Sequence, residues 1–394
     1  MIQLNVENNH IIRDGKTEAG FSLLELLISI VIFLIVTGSI FGLMEISRID
    51  RNRASRRSDT LKNARAAIHL IGRDALNAGL SYNLTGGSVP EGFLATRLGI
   101  APDLNTTRDA LTSIISGNDV NTNSLLPSPK KTDLIAFAYR DMDFNKTKKY
   151  DKDGNEINTI GDKITVKGAQ AASGAPNTTS ITIDGSTVTS DSSGNNQPGV
   201  NDLYLVETAD GIQVAVMATK VDLPNNRIEF APGDPLGVNQ SFSGTGQNGS
   251  LLKPCNPPSI TDNCANYAQS ASLKRFNWVS YKINSQGTLI RTVYGNNRIG
   301  TVADQIQEQP LAYGIQNMQV RYVLEDGTVT DDPAAGPDGI LGTGDDTPAN
   351  LNLVRQITVT LNVQSNENDE QTGKPETITV SATFSTRNLE YDAG

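Results

Sequence analysis

Histidine is nearly missing from this chain. Only His10 and His69 occur in 394 residues, and neither lies in the strand-like segments that follow residue 80. That scarcity removes Ser-His-Asp and Cys-His nucleophile schemes, and most zinc sites, from the larger part of the chain. Cysteine is equally sparse: Cys255 and Cys264 are the only two, and two thiols without nearby imidazoles make a poor metal site. No GxxxxGK[ST] loop is present to cradle a phosphate. Carboxylates are plentiful, but no spacing among them marks an acid/base pair. Lys and Arg number 33 against 43 Asp and Glu, for a net charge of −10, and five arginines crowd one short segment, so no nucleic-acid partner is expected. These absences together predict a chain that is not an enzyme.

What is present is concentrated near the N terminus. Residues 1–20 form a polar leader in which Arg13 and Lys16 face Glu7, Asp14 and Glu18. From Phe21 to Met44 the chain is uncharged apart from Glu25. As a helix this run rises about 36 Å, enough to cross a hydrocarbon core of about 30 Å. An ordinary secretory signal has a shorter apolar core with its cleavage site after it. A plain uncleaved anchor explains the run but not Gly20 before it or Glu25 within it. A carboxylate at the centre of a bilayer helix costs about 2.5–3.5 kcal/mol on insertion scales, so it points to function.

The junction Lys16-Thr-Glu-Ala-Gly20 followed by Phe21-Ser-Leu-Leu-Glu25 resembles the prepilin N terminus of type IV pilins and of their relatives in secretion pseudopili. The resemblance implies that a membrane prepilin peptidase cuts after Gly20 and that Phe21 is then N-methylated. It also implies that Glu25 neutralises the free amine of Phe21 on a neighbouring subunit as helices bundle into a filament. The expected partners are the peptidase, major and minor pilins, an inner-membrane assembly platform and the membrane itself. One feature opposes this orientation. Arg48, Arg51, Arg53, Arg56 and Arg57 follow the apolar run, and a positive-inside count would place them in the cytoplasm. The cleavage junction is the more specific pattern and puts the leader there instead.

The helix is expected to continue from the membrane segment (21–44) through an amphipathic stretch (45–80). Leu61, Ala64, Ile68, Ile71 and Ala75 recur at spacings of three and four, and Gly79 offers a stop. His69, between Ile68 and Leu70, reads as a helix–sheet interface residue. Gly38 and Gly42 form a small-xxx-small pair that permits close helix approach.

Beyond residue 80 the period changes to two. Segments 134–140, 179–184, 203–208, 212–220 and 226–230 read as strands, and 278–294 as a hairpin in which Val279, Tyr281 and Ile283 share a face. Segments 316–328, 353–364 and 377–388 complete the set. Stretches 85–130, 168–202 and 232–263, dense in Ser, Thr, Asn, Gly and Pro, read as surface insertions. The expectation is an α+β chain in which a long N-terminal helix packs on an antiparallel β-rich head spanning 81–394.

Ala64-Arg-Ala-Ala67, Arg73-Asp74, Ala78-Gly79, the hairpin bearing Leu289 and Arg291, Val320-Arg-Tyr322 and Val354-Arg355 resemble PilW-like minor pilins. Pseudopilin J of type II secretion is similar in several of these traits. The resemblance implies a minor pilin that helps prime, assemble or cap a type IV pilus, held in the inner membrane with a periplasmic head before entering the pilus. The alternatives are a minor pseudopilin of a type II system and a pilus-tip adhesin. In an exported head, Cys255 and Cys264 are expected to form a disulfide, the alternative being two free thiols.

Calcium is the one cofactor worth weighing. Asp151, Asp153 and Asn155 lack the sixth-place glycine and terminal glutamate of an EF-hand, and 150–157 reads as an Asp-Gly hairpin turn. The glycine-rich stretch 336–348 holds Asp338, Asp345 and Asp346, with Asp331 and Asp332 just before it. It reads either as a solvated acidic loop or as a calcium site with Asp338, Asp345 and Asp346 as ligands.

Overall fold

The computed structural model describes residues 20–80, 82, 86–101, 108–146, 148–150, 152–153, 156–158, 163–172, 175–189, 196–207, 213–239, 253–254, 264–265, 271–370 and 372–386. The chain divides into two compact units, residues 1–56 and 57–394. One helix, Leu23–Asn77, runs through the boundary as an unbroken element of 55 residues. The α+β expectation therefore holds, with a long N-terminal apolar helix followed by β-rich structure.

Within the second unit the helix buries Ala64, Ala67, Ile68, Ile71, Asp74 and Ala75. That is the three- and four-residue spacing of a single stripe. His69 departs from the expectation and is exposed. At about 100° per residue, it lies roughly 100° from Ile68 and 200° from Ile71, off the stripe. The helix stops at Gly79, whose φ of +79° is a left-handed conformation that glycine adopts without a Cβ clash. The Gly79 N–H then donates to the carbonyl of Ala138 (3.2 Å), joining the helix end to the sheet.

Two sheets carry this stripe. The first is organised by Ala271–Ile283, whose 13 residues change partners along their length. Residues 271–273 pair with Ile164–Ala172 and residues 272–275 with Leu203–Glu207. Residues 276–282 pair with Thr132–Arg140, and residues 278–283 with Leu289–Tyr294. The second sheet has four strands in the order Val329–Thr330, Ile315–Leu324, Val354–Asn368 and Pro375–Ser385. The helix stripe packs with Ile135, Phe137, Val279, Tyr281 and Ile283 of the first sheet and Met318, Val320, Tyr322, Ile357, Val359 and Leu361 of the second. Leu134, Ala136, Ala138 and Trp278 point the other way into a separate core. Period-two alternation thus fills both faces of Thr132–Arg140, as expected for a central strand with no solvent side.

The hairpin closes over residues 284–288. Asn284 Oδ1 accepts the N–H groups of Gln286 (3.0 Å) and Thr288 (2.9 Å), and Gly287 takes a φ of +75°. Lys148–Tyr150 and Glu156–Asn158 pair antiparallel, and Gly154 of the expected Asp-Gly turn lies outside the described residues. Two pairings depart from a purely antiparallel head: Gly87–Pro90 with Gln213–Met217, and Lys253–Pro254 with Cys264–Ala265, are parallel.

The three stretches read as surface insertions are in part structural. Arg108–Leu111 and Ile114–Asn121 are strands. Val89, Leu111, Ile114 and Ile115 are buried, as are Leu236 and Val238. Ile164–Ala172 pairs with Ala175–Ile183 through a ladder broken by two register shifts. Small and hydroxylated side chains mask such strands in sequence, although Thr suits a pleated, half-buried surface.

Candidate functional site

In the first unit, residues 20–22 lead into the helix. The Ser22 hydroxyl accepts the Leu24 N–H (3.3 Å) and its carbonyl accepts the Leu26 N–H (3.1 Å). Glu25 lies in the first turn, where the unsatisfied N–H groups of a helix end favour a carboxylate. Its side chain is exposed, and Phe21 is 78 % exposed. Ser29 and Ser39 return their hydroxyls to the carbonyls of Glu25 and Ile35, each at 2.8 Å. Inside an apolar medium such internal satisfaction is required. The large apolar side chains from Leu23 to Met44 are all exposed, and the space beside Gly38 and Gly42 is open. This helix is long and apolar enough to cross a membrane. A helix apolar on every side needs lipid or other helices around it.

In the second unit, the amphipathic half of the helix is fixed by one buried carboxylate. Asp74 is fully buried. Its Oδ2 accepts the Tyr281 hydroxyl (2.7 Å) and the Arg291 guanidinium, through Nε at 3.0 Å and a terminal nitrogen at 2.9 Å. Its Oδ1 accepts the Tyr139 hydroxyl (3.3 Å) and Arg73 (3.2 Å). Burial pushes the Tyr281 hydroxyl far up, helped by the neighbouring carboxylate, and raises Tyr139 to about 12. Burial, the largest single influence, would lower Arg291, but the charge and hydrogen bonds of Asp74 and Tyr281 together outweigh it and the guanidinium ends above its ordinary value. Charge-assisted bonds of this kind, sealed from water, join helix to sheet with defined geometry. The sequence places Asp74 on the apolar stripe, three residues after Ile71. An acid there signals a buried partner, which the sequence could not identify.

A second buried set sits farther along the sheet. Asp202 is held by Arg298 in a two-pronged pair (2.9 and 2.7 Å), by the Tyr204 hydroxyl (2.9 Å) and by Arg275 (3.3 Å). Arg275 also reaches Asp141 (2.8 Å) and lies 5.0 Å from the ring centre of Phe144. No spacing in the sequence links residues 141, 202, 275 and 298.

In the acidic loop the carboxylates accept hydrogen bonds from the loop's own N–H and hydroxyl groups. Asp338 Oδ1 accepts the Ile340 N–H (2.8 Å). Asp345 accepts the Thr343 hydroxyl (2.6 Å) and the Asp338 N–H (3.3 Å), and Asp346 accepts the Gly342 N–H (2.8 Å). Asp346 Oδ1 is buried without a partner, but one such oxygen falls far short of the six to eight that calcium takes. Among the described residues no group of three or more His, Cys, Asp or Glu side chains is placed to hold a metal. The carboxylates serve the loop's own turns instead. Of the cysteines, Cys255 lies outside the described residues.

The family model for the prokaryotic N-terminal methylation motif matches residues 15–41. No curated protein and no solved structure matches the chain. The motif implies processing by a prepilin peptidase and assembly with pilins. A methylation motif that opens a helix of membrane length supports a type IV pilin-like prepilin.

Proposed function

We propose that the chain is a minor, PilW-like pilin with no catalytic role of its own, cleaved after Gly20, methylated at Phe21, and used to prime, assemble or cap a type IV pilus. The observation that carries this reading is Glu25, the one charge in an otherwise apolar span that the chain itself leaves uncovered. A lone carboxylate in such a span is costly unless a cation meets it, and the amine of a neighbouring processed Phe21 is a cation of the right kind. The buried Asp74 cluster supports the same use, because it welds the amphipathic half of the helix to the sheets that it must carry. The head is exported in this reading. The pairing of Lys253–Pro254 with Cys264–Ala265 runs the two cysteine-bearing stretches side by side, and in an oxidising compartment Cys255 and Cys264 form a disulfide. The test is Glu25→Ala: the expected result is a folded protein that remains in the membrane but is missing from sheared filaments. Unchanged incorporation refutes the role given to Glu25.

A further inference from the structure

We propose that Arg48 and Arg51 form a clamp for the phosphate of an anionic phospholipid, with the acyl chain lying against Ile40, Phe41 and Met44. This rests on the reading that residues 21–44 cross a bilayer. The helix surface carries a shallow depression lined by Ile40, Phe41, Leu43, Met44, Glu45, Ser47, Arg48 and Arg51. At about 100° per residue, Ile40, Phe41, Met44, Arg48 and Arg51 fall within one face about 100° wide. That face is apolar below and cationic above, the division found along a phospholipid.

Depth agrees with the chemistry. Arg48 rises about 6 Å and Arg51 about 10 Å beyond Met44, while the headgroup region adds about 5–7 Å on each side of the hydrocarbon core. Helical side chains lean toward the N terminus, which brings both guanidiniums back toward the phosphate level. Two guanidiniums one turn apart can share a phosphate through several charge-assisted bonds. Glu45 competes for Arg48 from 3.8 Å, with both side chains more than half exposed, and such a pair is weak. Under the proposed orientation these arginines run against the positive-inside bias, a cost that a headgroup contact offsets. Charge complementarity selects an anionic lipid over a zwitterionic one, in a chain whose net charge is −10 with these arginines included. Arg53 and Arg56 point away from Arg51, roughly 140° or more around the helix.

The full chain would be reconstituted in phosphatidylcholine vesicles containing phosphatidylglycerol. It would then be released in mild detergent, and the lipid it retains counted by native mass spectrometry. The expected result is phosphatidylglycerol enriched about fivefold or more over its share of the bilayer, the ratio that one cation near an anionic surface is worth. The enrichment should vanish in Arg48→Gln/Arg51→Gln and persist in Arg53→Gln/Arg56→Gln. Equal loss in both double variants, or no enrichment in the parent while the protein resists alkaline extraction, overturns the clamp alone. Protein that alkali strips from the vesicles overturns the membrane-spanning reading, and the clamp with it.

Discussion

Removing the Asp74 carboxylate is the sharpest test of how the helix is held. Asp74→Ala would leave the Arg291 guanidinium, only 12 % exposed as a side chain, without its main counter-charge. It would also strip the buried hydroxyls of Tyr281 and Tyr139 of an acceptor. Breaking one side of a buried ion pair costs about 3–5 kcal/mol, because the surviving charge stays desolvated. With a urea dependence of about 3 kcal/mol per molar, fitting for a large head, the midpoint should fall by about 1–1.7 M. The single tryptophan, Trp278, is buried and stacked on Tyr294 at 4.0 Å between ring centres. Its fluorescence therefore reports loss of the adjacent core in the full chain held in detergent. Asp74→Ala/Arg291→Met removes the orphaned cation as well, and should recover a substantial part of the loss. A midpoint shift under about 0.3 M for Asp74→Ala, or a double variant weaker than the sum of its two single variants, would refute the argument.

Other outcomes follow from the same coordinates. Burial pushes Asp133 up to about 6, against the N–H groups of Asp119 and Val320 that favour its charged form. Because the folded value lies above the ordinary 3.8, its contribution favours the fold below about pH 4 and fades as pH rises through 6, by about 3 kcal/mol in all. Urea titrations of the parent and Asp133→Asn from pH 4 to 7 should differ by that slope, and parallel curves would contradict it. Gly72 faces the Phe384 ring, and a Cβ there would collide with it. Gly72→Ala should destabilise by about 1–3 kcal/mol despite better helix propensity, and Phe384→Leu should relieve much of that; a stabilised Gly72→Ala in urea melts would show that the ring is not held against the helix.

The parts of this fold that sequence discloses are those governed by periodicity. Ala64, Ile68, Ile71 and Ala75 declare the helix stripe, Gly79 declares its end, and the alternation of Val279, Tyr281 and Ile283 declares a strand face. What sequence hides is long-range partnership. Arg73-Asp74 and Arg291 are each visible as short patterns, and the stripe marks Asp74 rather than Arg73 as the inward residue, yet nothing local says that residues 217 positions apart share a bond. Ile164–Ala172 alternates only at Ile164 and Val166 and then continues through Lys, Gly, Ala and Gln, so most of it lacks an apolar rhythm and looks like loop. His69 misleads because its flanking residues, Ile68 and Leu70, are apolar while its own direction points to solvent. The acidic loop is ambiguous in sequence for a different reason: glycine and aspartate suit tight turns that cap their own N–H groups as well as they suit a cation. At the N-terminal methylation motif the reverse holds. The roles proposed for Gly20, Phe21 and Glu25 rest on residue type and spacing alone, and the fold adds only that the helix behind them is continuous and uncovered.

The most direct measurement is mass spectrometry of the N-terminal peptide, made in parallel on sheared surface filaments and on membranes. The account predicts a peptide beginning at N-methylated Phe21 in the sheared fraction. The same peptide confined to membranes would favour a secretion pseudopilus. A peptide retaining residues 1–20 in both fractions would contradict the central claim.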